Sequence, residues 1–222
     1  MRLPPSLLVL VVLAIGGVAI VAATTMDTPA GAEIACPVRS ASVVLDPGHG
    51  GEDSGAVNGT LRESDLNLDI ANRTAALVRA AGHEVALTRD DDTFLTNSER
   101  GYIANACRAT VFVSIHLNSF PEPEPNYVMT FWGIDPKDVA FTRHMIAALH
   151  PTLDSAGTGL GNGDIDQFET GSLLRATMPG TLVETVFLSN PAEAALLGDG
   201  TGRRQQQIAG AIAAGIVTWL GR

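Results

Sequence analysis

Thr110-Val111-Phe112-Val113-Ser114-Ile115 carries apolar side chains at positions of both parities. A strand with one wet face alternates polar and apolar residues, so a run that is apolar on both faces reads as a central strand of a parallel sheet. Upstream, Asn97 or Thr96 can cap a helix running to about Cys107, and Glu84 to Arg89 reads as a strand. Ser64 to Ala81 has helical spacing, with Leu66, Leu68, Ile70, Ala75, Leu77 and Val78 as its apolar side and Gly82 as its stop. Ser42 to Asp46 reads as a buried strand, followed by a glycine-rich loop through Gly59. Downstream, Pro121-Glu122-Pro123-Glu124-Pro125 punctuates the chain before a strand at Tyr127 to Trp132 and a helix at Pro136 to Leu149. Gly157 to Gly163 has no period and reads as a loop. Thr181 to Phe187 is the last strand, and Pro191 to Leu197 and Arg203 to Leu220 supply closing helices. Strands alternating with helices mean an α/β layered sheet. With 222 residues, 45% of them hydrophobic, one domain is expected, spanning about residues 40–221.

The N-terminus reads differently. Leu7 to Ala23 is an unbroken run of apolar and small residues behind Met1 and Arg2, the pattern of an export signal. Ala30-Gly31-Ala32 offers a cleavage site, while the apolar run lies at the lower end of what spans a bilayer, so residues 1–32 are either a removed signal peptide or a retained membrane anchor. An exported chain is expected, secreted or tethered through residues 7–23. The net charge is −10 with a pI near 4.8. Arg2 and Asp27 are the only charged side chains within residues 1–32, so the remainder keeps the same net charge. Such a surface has no basic stripe to track phosphates, which excludes nucleic acid as a partner.

Four side chains stand out against this background. His49 follows Asp46-Pro47-Gly48 and precedes Gly50-Gly51, so glycines free the turn to project an imidazole from the carboxyl end of the sheet, where α/β folds bind ligands. Glu63 opens a helix; alone it reads first as an acid interacting with the helix dipole. His116 ends the apolar strand, where an unpartnered imidazole is costly to bury. Glu184 stands inside Leu182-Val183-Glu184-Thr185-Val186-Phe187, where a buried carboxylate needs a metal, a water or an arginine such as Arg89, Arg100 or Arg175. His49, Glu63 and His116 make a three-ligand zinc set with an open fourth position, and Glu184 is a further carboxylate able to move protons. His83, His144 and His150 read as surface or capping residues.

Cys36 and Cys107 precede the strands that lead to His49 and His116. If both imidazoles bind one metal, those strands are near neighbours and their opposite ends are close as well. A Cys36–Cys107 disulfide is then expected, worth about 4 kcal/mol for a loop of about 70 residues in the chain-entropy picture; the alternative is two buried free thiols.

Seven segments taken together closely resemble the zinc-dependent N-acetylmuramoyl-L-alanine amidases, the type 3 amidase family of peptidoglycan hydrolases. They are LDPGHGG at 45–51, RESDLNLDIA at 62–71, LTRDDD at 87–92, ERGYIANA at 99–106, SIHLNS at 114–119, LLRATMPGTLVET at 173–185 and FLSNPAE at 187–193. The resemblance runs from about Val43 to Trp219 and implies a single-domain α/β fold, a twisted, mainly parallel sheet with helices on both faces. It also implies Zn2+ as cofactor, His49, Glu63 and His116 as ligands, Glu184 as the catalytic carboxylate and peptidoglycan as substrate. The reaction would serve cell-wall remodelling or daughter-cell separation at the cell wall or the periplasmic side of the membrane. The resemblance leaves open a protein activator, a silent wall-binding protein on the same fold, and a shift of the chemistry to a carboxypeptidase or endopeptidase. Phe120 to Pro125 and the stretch between His150 and Leu173 depart most from the family pattern.

Overall fold

The computed structural model describes residues 34–221; the expected signal or anchor at 1–32 lies outside them. Eight strands and six α-helices follow one another as β1 (Val43–Pro47), β2 (Val57–Asn58), β3 (Leu61–Arg62), α1 (Glu63–Ala80), β4 (Val85–Leu87), α2 (Asn97–Ala106), β5 (Val111–Asn118), β6 (Tyr127–Trp132), α3 (Val139–Asp154), β7 (Gly161–Gln167), α4 (Gly171–Arg175), β8 (Gly180–Phe187), α5 (Pro191–Leu197) and α6 (Arg203–Leu220). Six of the strands form one sheet in the order β4-β1-β5-β8-β6-β7. The first four run parallel; β6 pairs antiparallel with β8 and parallel with β7. The expected mainly parallel α/β sheet is therefore the observed one.

The parity of the strands sorts the core. Val43, Leu45, Val111, Val113 and Ile115 pack with apolar side chains of α1, α3 and α6 on one face. Val44, Phe112 and Leu182 pack with Ala104 of α2 and Leu173 of α4 on the other. By the same alternation Ser114 and His116 share the face of Phe112, and Glu184 shares that of Leu182. The reading of β5 as apolar on both faces corresponds to two distinct cores, one above and one below it.

Several local expectations change. The glycine-rich loop contains a hairpin of two-residue strands, β2 and β3. The segment expected to be a loop at Gly157 to Gly163 runs into β7, an edge strand of sequence GNGDIDQ that pairs only with β6. It has no apolar period because most of it is not in the core, and its register with β6 shifts around Asp164, whose φ is 65°. Helix α3 passes through Pro151, with Leu149 and Leu153 buried on either side of it. Leu77 of α1 is exposed, and the buried positions of that helix are Glu63, Ser64, Leu66, Asn67, Ile70, Ala71, Thr74, Ala75 and Val78. For α2 the capping residue is Thr96, which accepts from the Glu99 backbone N–H while the Glu99 carboxylate accepts from that of Thr96. Cys36 and Cys107 are disulfide-bonded with Cα atoms 4.7 Å apart, the outcome expected over two free thiols, and β1 and β5 are adjacent: Val43 pairs with Val111 a few residues beyond each cysteine.

At the other end of β1 lies a buried ion pair. Asp46 is fully buried and accepts from Thr88 Oγ1 (2.6 Å), Arg100 Nη1 (2.8 Å) and Ser114 Oγ (2.7 Å). Burial works to raise its pKa, but the Arg100 charge and these three hydrogen bonds outweigh it and hold the carboxyl below the ordinary value of 3.8. A folded-state pKa below the unfolded one contributes stability that is present above that ordinary value and is lost as the pH falls through the folded one. Asp46→Asn is expected to cost about 3–5 kcal/mol at neutral pH, because it leaves the Arg100 charge buried without its partner. Denaturant unfolding should show the gap to the wild type narrowing below pH 3.8; equal stabilities at neutral pH would refute this role.

Candidate metal centre

The turn after β1 is built by carbonyls that point inward. The Pro47 carbonyl accepts from Arg89 Nε (2.9 Å) and Arg100 Nη1 (2.8 Å), that of Gly48 from Arg89 Nη2 (2.8 Å), and that of His49 from Arg100 Nη2 (2.8 Å). Both arginines are buried. Their guanidinium forks fix the course of the backbone while it passes through His49 at φ 63°, a left-handed conformation unusual for a side chain other than glycine. Gly48 is there for space: a Cβ on it would lie 2.2 Å from Cε1 of His116. Gly50 (φ 128°) and Gly51 (φ 61°) then reverse the chain.

This brings His49, from the turn, to Glu63 at the first residue of α1 and His116 on β5. Glu63 Oε1 lies 3.1 Å from His49 Nε2 and 3.1 Å from His116 Nδ1. The two imidazoles meet edge to face with centroids 4.8 Å apart, and the three donor atoms all lie within 4.8 Å of one another. The backbone fixes the carboxylate: Oε1 accepts from the Leu117 N–H (3.1 Å) and Asn67 Nδ2 (3.3 Å), Oε2 from the Ala56 N–H (2.9 Å). Burial works to raise the Glu63 pKa, but the hydrogen bonds and charges of His116 and His49 hold it well below the usual carboxylate range. Burial likewise works to lower the His49 pKa, yet Glu63 and then Asp53 push it up to about 9. Two imidazoles and one carboxylate converging in this way can hold a metal ion.

Glu184 lies beside this group without joining it. On β8 it is in register with His116 of β5 and with Met129 of β6. It is buried, and its Oε2 has no hydrogen-bond partner among the described residues. Burial, and after it the negative charge of Glu63, raise its pKa well above the ordinary value. None of the arginines that could have paired with it does so: Arg89 and Arg100 hold the β1 turn, and Arg175 lies over the Tyr102 ring. His144 bonds the Gly215 carbonyl on α6, away from the cluster. A cavity of about 450 Å³ lined by Ile134, Pro136, Leu173 and Leu174 among others touches none of the four residues.

Sequence reasoning missed three parts of the surroundings. Asp46 was read only as the last residue of a buried strand, and its pairing with Arg100, 54 positions away, was not foreseen. Asn67, one helical turn after Glu63, bonds back to it. Asp53, four residues after His49, bonds its Nδ1 at 2.8 Å.

The family model that matches, over residues 43–218, is described as N-acetylmuramoyl-L-alanine amidase. The chain is 33% identical over 161 residues to N-acetylmuramoyl-L-alanine amidase LytC of Bacillus subtilis, covering 72% of this chain and 32% of that protein. It is 34% identical over 223 residues to N-acetylmuramoyl-L-alanine amidase AmiC of Neisseria meningitidis serogroup B, covering 82% of this chain and 53% of that one. The chain thus spans about a third and about half of the length of these two relatives. Among solved structures, the catalytic domain of CwlV, N-acetylmuramoyl-L-alanine amidase from Bacillus (Paenibacillus) polymyxa var. colistinus, superposes with a TM-score of 0.74 at 36% identity, covering 81% of this chain and 97% of that one.

The close approach at Gly48 carries a test. Gly48→Ala should drive its methyl into the His116 ring and displace one corner of the cluster, while the buried core of β1 and β5 stays intact. The expected result is a folded protein by circular dichroism that binds divalent metal at least ~10-fold more weakly, the low end of what misplaced ligand surroundings cost. Unchanged metal affinity would mean that the His116 ring does not need its present position.

Proposed function

This chain belongs to the N-acetylmuramoyl-L-alanine amidase family, and we propose that it is a zinc-dependent hydrolase of peptidoglycan. It cleaves the amide between the lactyl group of N-acetylmuramic acid and the L-alanine that begins the stem peptide. The observation that carries this reading is the convergence of His49 Nε2, Glu63 Oε1 and His116 Nδ1 beside a buried carboxylate with an unpartnered oxygen. The donor set fits zinc: two imidazoles, with His49 giving up its extra proton on binding, and one carboxylate are among the three-ligand sets of catalytic zinc, and the unsatisfied Glu184 Oε2 suits a group that handles a water. In this reading His49, Glu63 and His116 are the metal ligands and Glu184 is the catalytic carboxylate.

Zinc held there supplies Lewis-acid polarisation of the scissile carbonyl and makes water acidic enough to attack near neutral pH. The chain's own residues do the rest. Glu184 takes the proton of the attacking water and returns it to the leaving alanine nitrogen, so that the C–N bond breaks, the lactyl carbonyl carbon gains the water oxygen, and a free amino terminus forms. Glu63 is held toward the ionised form that a metal ligand needs, and a cation bound beside it would offset the burial and the charge that raise Glu184 and so favour the carboxylate form that accepts the proton.

Residues 40–221 form the catalytic domain in this proposal, and residues 1–32 deliver it across the membrane, removed or kept as an anchor. The site of action is the cell wall or the periplasmic side of the membrane, in wall remodelling or daughter-cell separation. Among the described residues no helix is long and apolar enough to cross a membrane.

Two substitutions separate binding from chemistry. His116→Ala should lose bound zinc and activity together, measured by elemental analysis and by release of soluble fragments from dye-labelled peptidoglycan; a variant that keeps stoichiometric zinc removes His116 from the ligand set. Glu184→Gln should keep its zinc while turnover falls by about 10²–10⁴-fold. Loss of zinc from that variant would make Glu184 a ligand, and full turnover would make it a structural acid. The products decide the bond cleaved: new amino termini on L-alanine are expected, and new termini found only deeper in the peptide would reassign the enzyme as a peptidase.

A further inference from the structure

We infer that Asp53 is the positioning residue of the metal site: its carboxylate holds the His49 ring so that Nε2, and not Nδ1, faces Glu63 and His116. The inference rests on the zinc reading above. Asp53 Oδ2 lies 2.8 Å from His49 Nδ1 on the side of the ring opposite Nε2. The two nitrogens of an imidazole are distinct, and the hydrogen bond made by one decides which is free to bind a metal. With Nδ1–H donating to Asp53, the lone pair of Nε2 is left for the cluster.

Asp53 is itself held on three sides. Its Oδ1 accepts from the Gly55 N–H (3.0 Å), the Gly50 N–H donates to its carbonyl (2.8 Å), and its own N–H donates to the Gly50 carbonyl (3.1 Å). Gly55, at φ 62°, closes the loop against the site, since a Cβ there would lie 2.6 Å from both Glu63 Oε2 and His49 Cδ2. The two histidines are thus oriented by different means. His116 presents Nδ1 and is confined by the backbone of Gly48, against which its ring is tightly seated. His49 sits on an open, left-handed turn, and a carboxylate sets its ring instead.

The test compares zinc affinity, by competition with a chromogenic chelator, in the wild type, Asp53→Ala and Asp53→Asn, with the His49 Nδ1–H signal followed by ¹⁵N NMR of the zinc-loaded protein. Asp53→Ala is expected to weaken zinc binding about 10–100-fold and to lose the solvent-protected Nδ1–H signal. Asp53→Asn, which keeps an acceptor oxygen, should recover most of both, and turnover at saturating zinc should change by less than the affinity does. Affinity in Asp53→Ala within about twofold of wild type overturns the inference, as does a loss of affinity with the His49 Nδ1–H signal unchanged, which would mean that Asp53 only closes the loop. If Asp53→Ala does not fold, Asp53→Glu decides in its place: it keeps the charge but moves it by one methylene, and a zinc affinity equal to wild type overturns the inference. Failure of the wild type itself to take up zinc would instead overturn the reading on which this one rests.

Discussion

Two guanidinium groups, those of Arg89 and Arg100, are buried beside each other; Arg100 is paired with the buried carboxylate of Asp46, while the hydrogen bonds of Arg89 go to backbone carbonyls. Carbonyls supply their remaining partners, and four of these seven hydrogen bonds go to Pro47, Gly48 and His49. Charges in the interior must be paired or hydrogen-bonded, so the need to solvate the arginines and the need to fix a left-handed turn satisfy each other. Arg89 also reaches the Ser64 carbonyl at the start of α1, which joins the turn bearing His49 to the helix bearing Glu63. The geometry of the donor cluster follows from this clamp more than from any contact between the donors themselves.

The fourth residue is placed by the sheet. Parallel pairing of β5 with β8 puts Glu184 level with His116, and a slip of one residue would turn every side chain of β8 to the opposite face. Register is well determined here because both faces of β8 are buried. The consequence is a carboxylate with no partner of its own, kept close to a second carboxylate that has many. The contrast in their surroundings, and not any difference between the side chains, gives each its acid–base character.

Elements that bury apolar surface were legible in the sequence. The strand around Val113 and the helix from Arg203 to Leu220 follow from period alone, and of the two caps open for α2, Asn97 and Thr96, the structure uses Thr96. Glu184 was conspicuous as a charge in an apolar run, and the pairing of Cys36 with Cys107 followed from strand adjacency. Three kinds of feature stayed hidden. Edge strand β7 and the β2–β3 hairpin hold their shape by backbone pairing with little apolar signal. The short helix α4, five residues long, shows no period. The clamping arginines belong to distant segments, so nothing near Asp46 or Gly48 announces that Arg89 and Arg100 return to them. The donors were visible; the groups that aim them were not.

The disulfide also determines how the domain responds to tension. Cys36 lies only a few residues before β1, which carries Asp46 and leads into the His49 turn. Without a cross-link, a load applied to the chain ahead of residue 36 would peel β1 directly from its neighbours, beginning at Val43. The covalent link diverts that load to Cys107 at the end of α2, and so into the body of the sheet at the start of β5. A load on the chain ahead of Cys36 therefore reaches the fold at the start of β5 as well as through the strand that leads to the His49 turn.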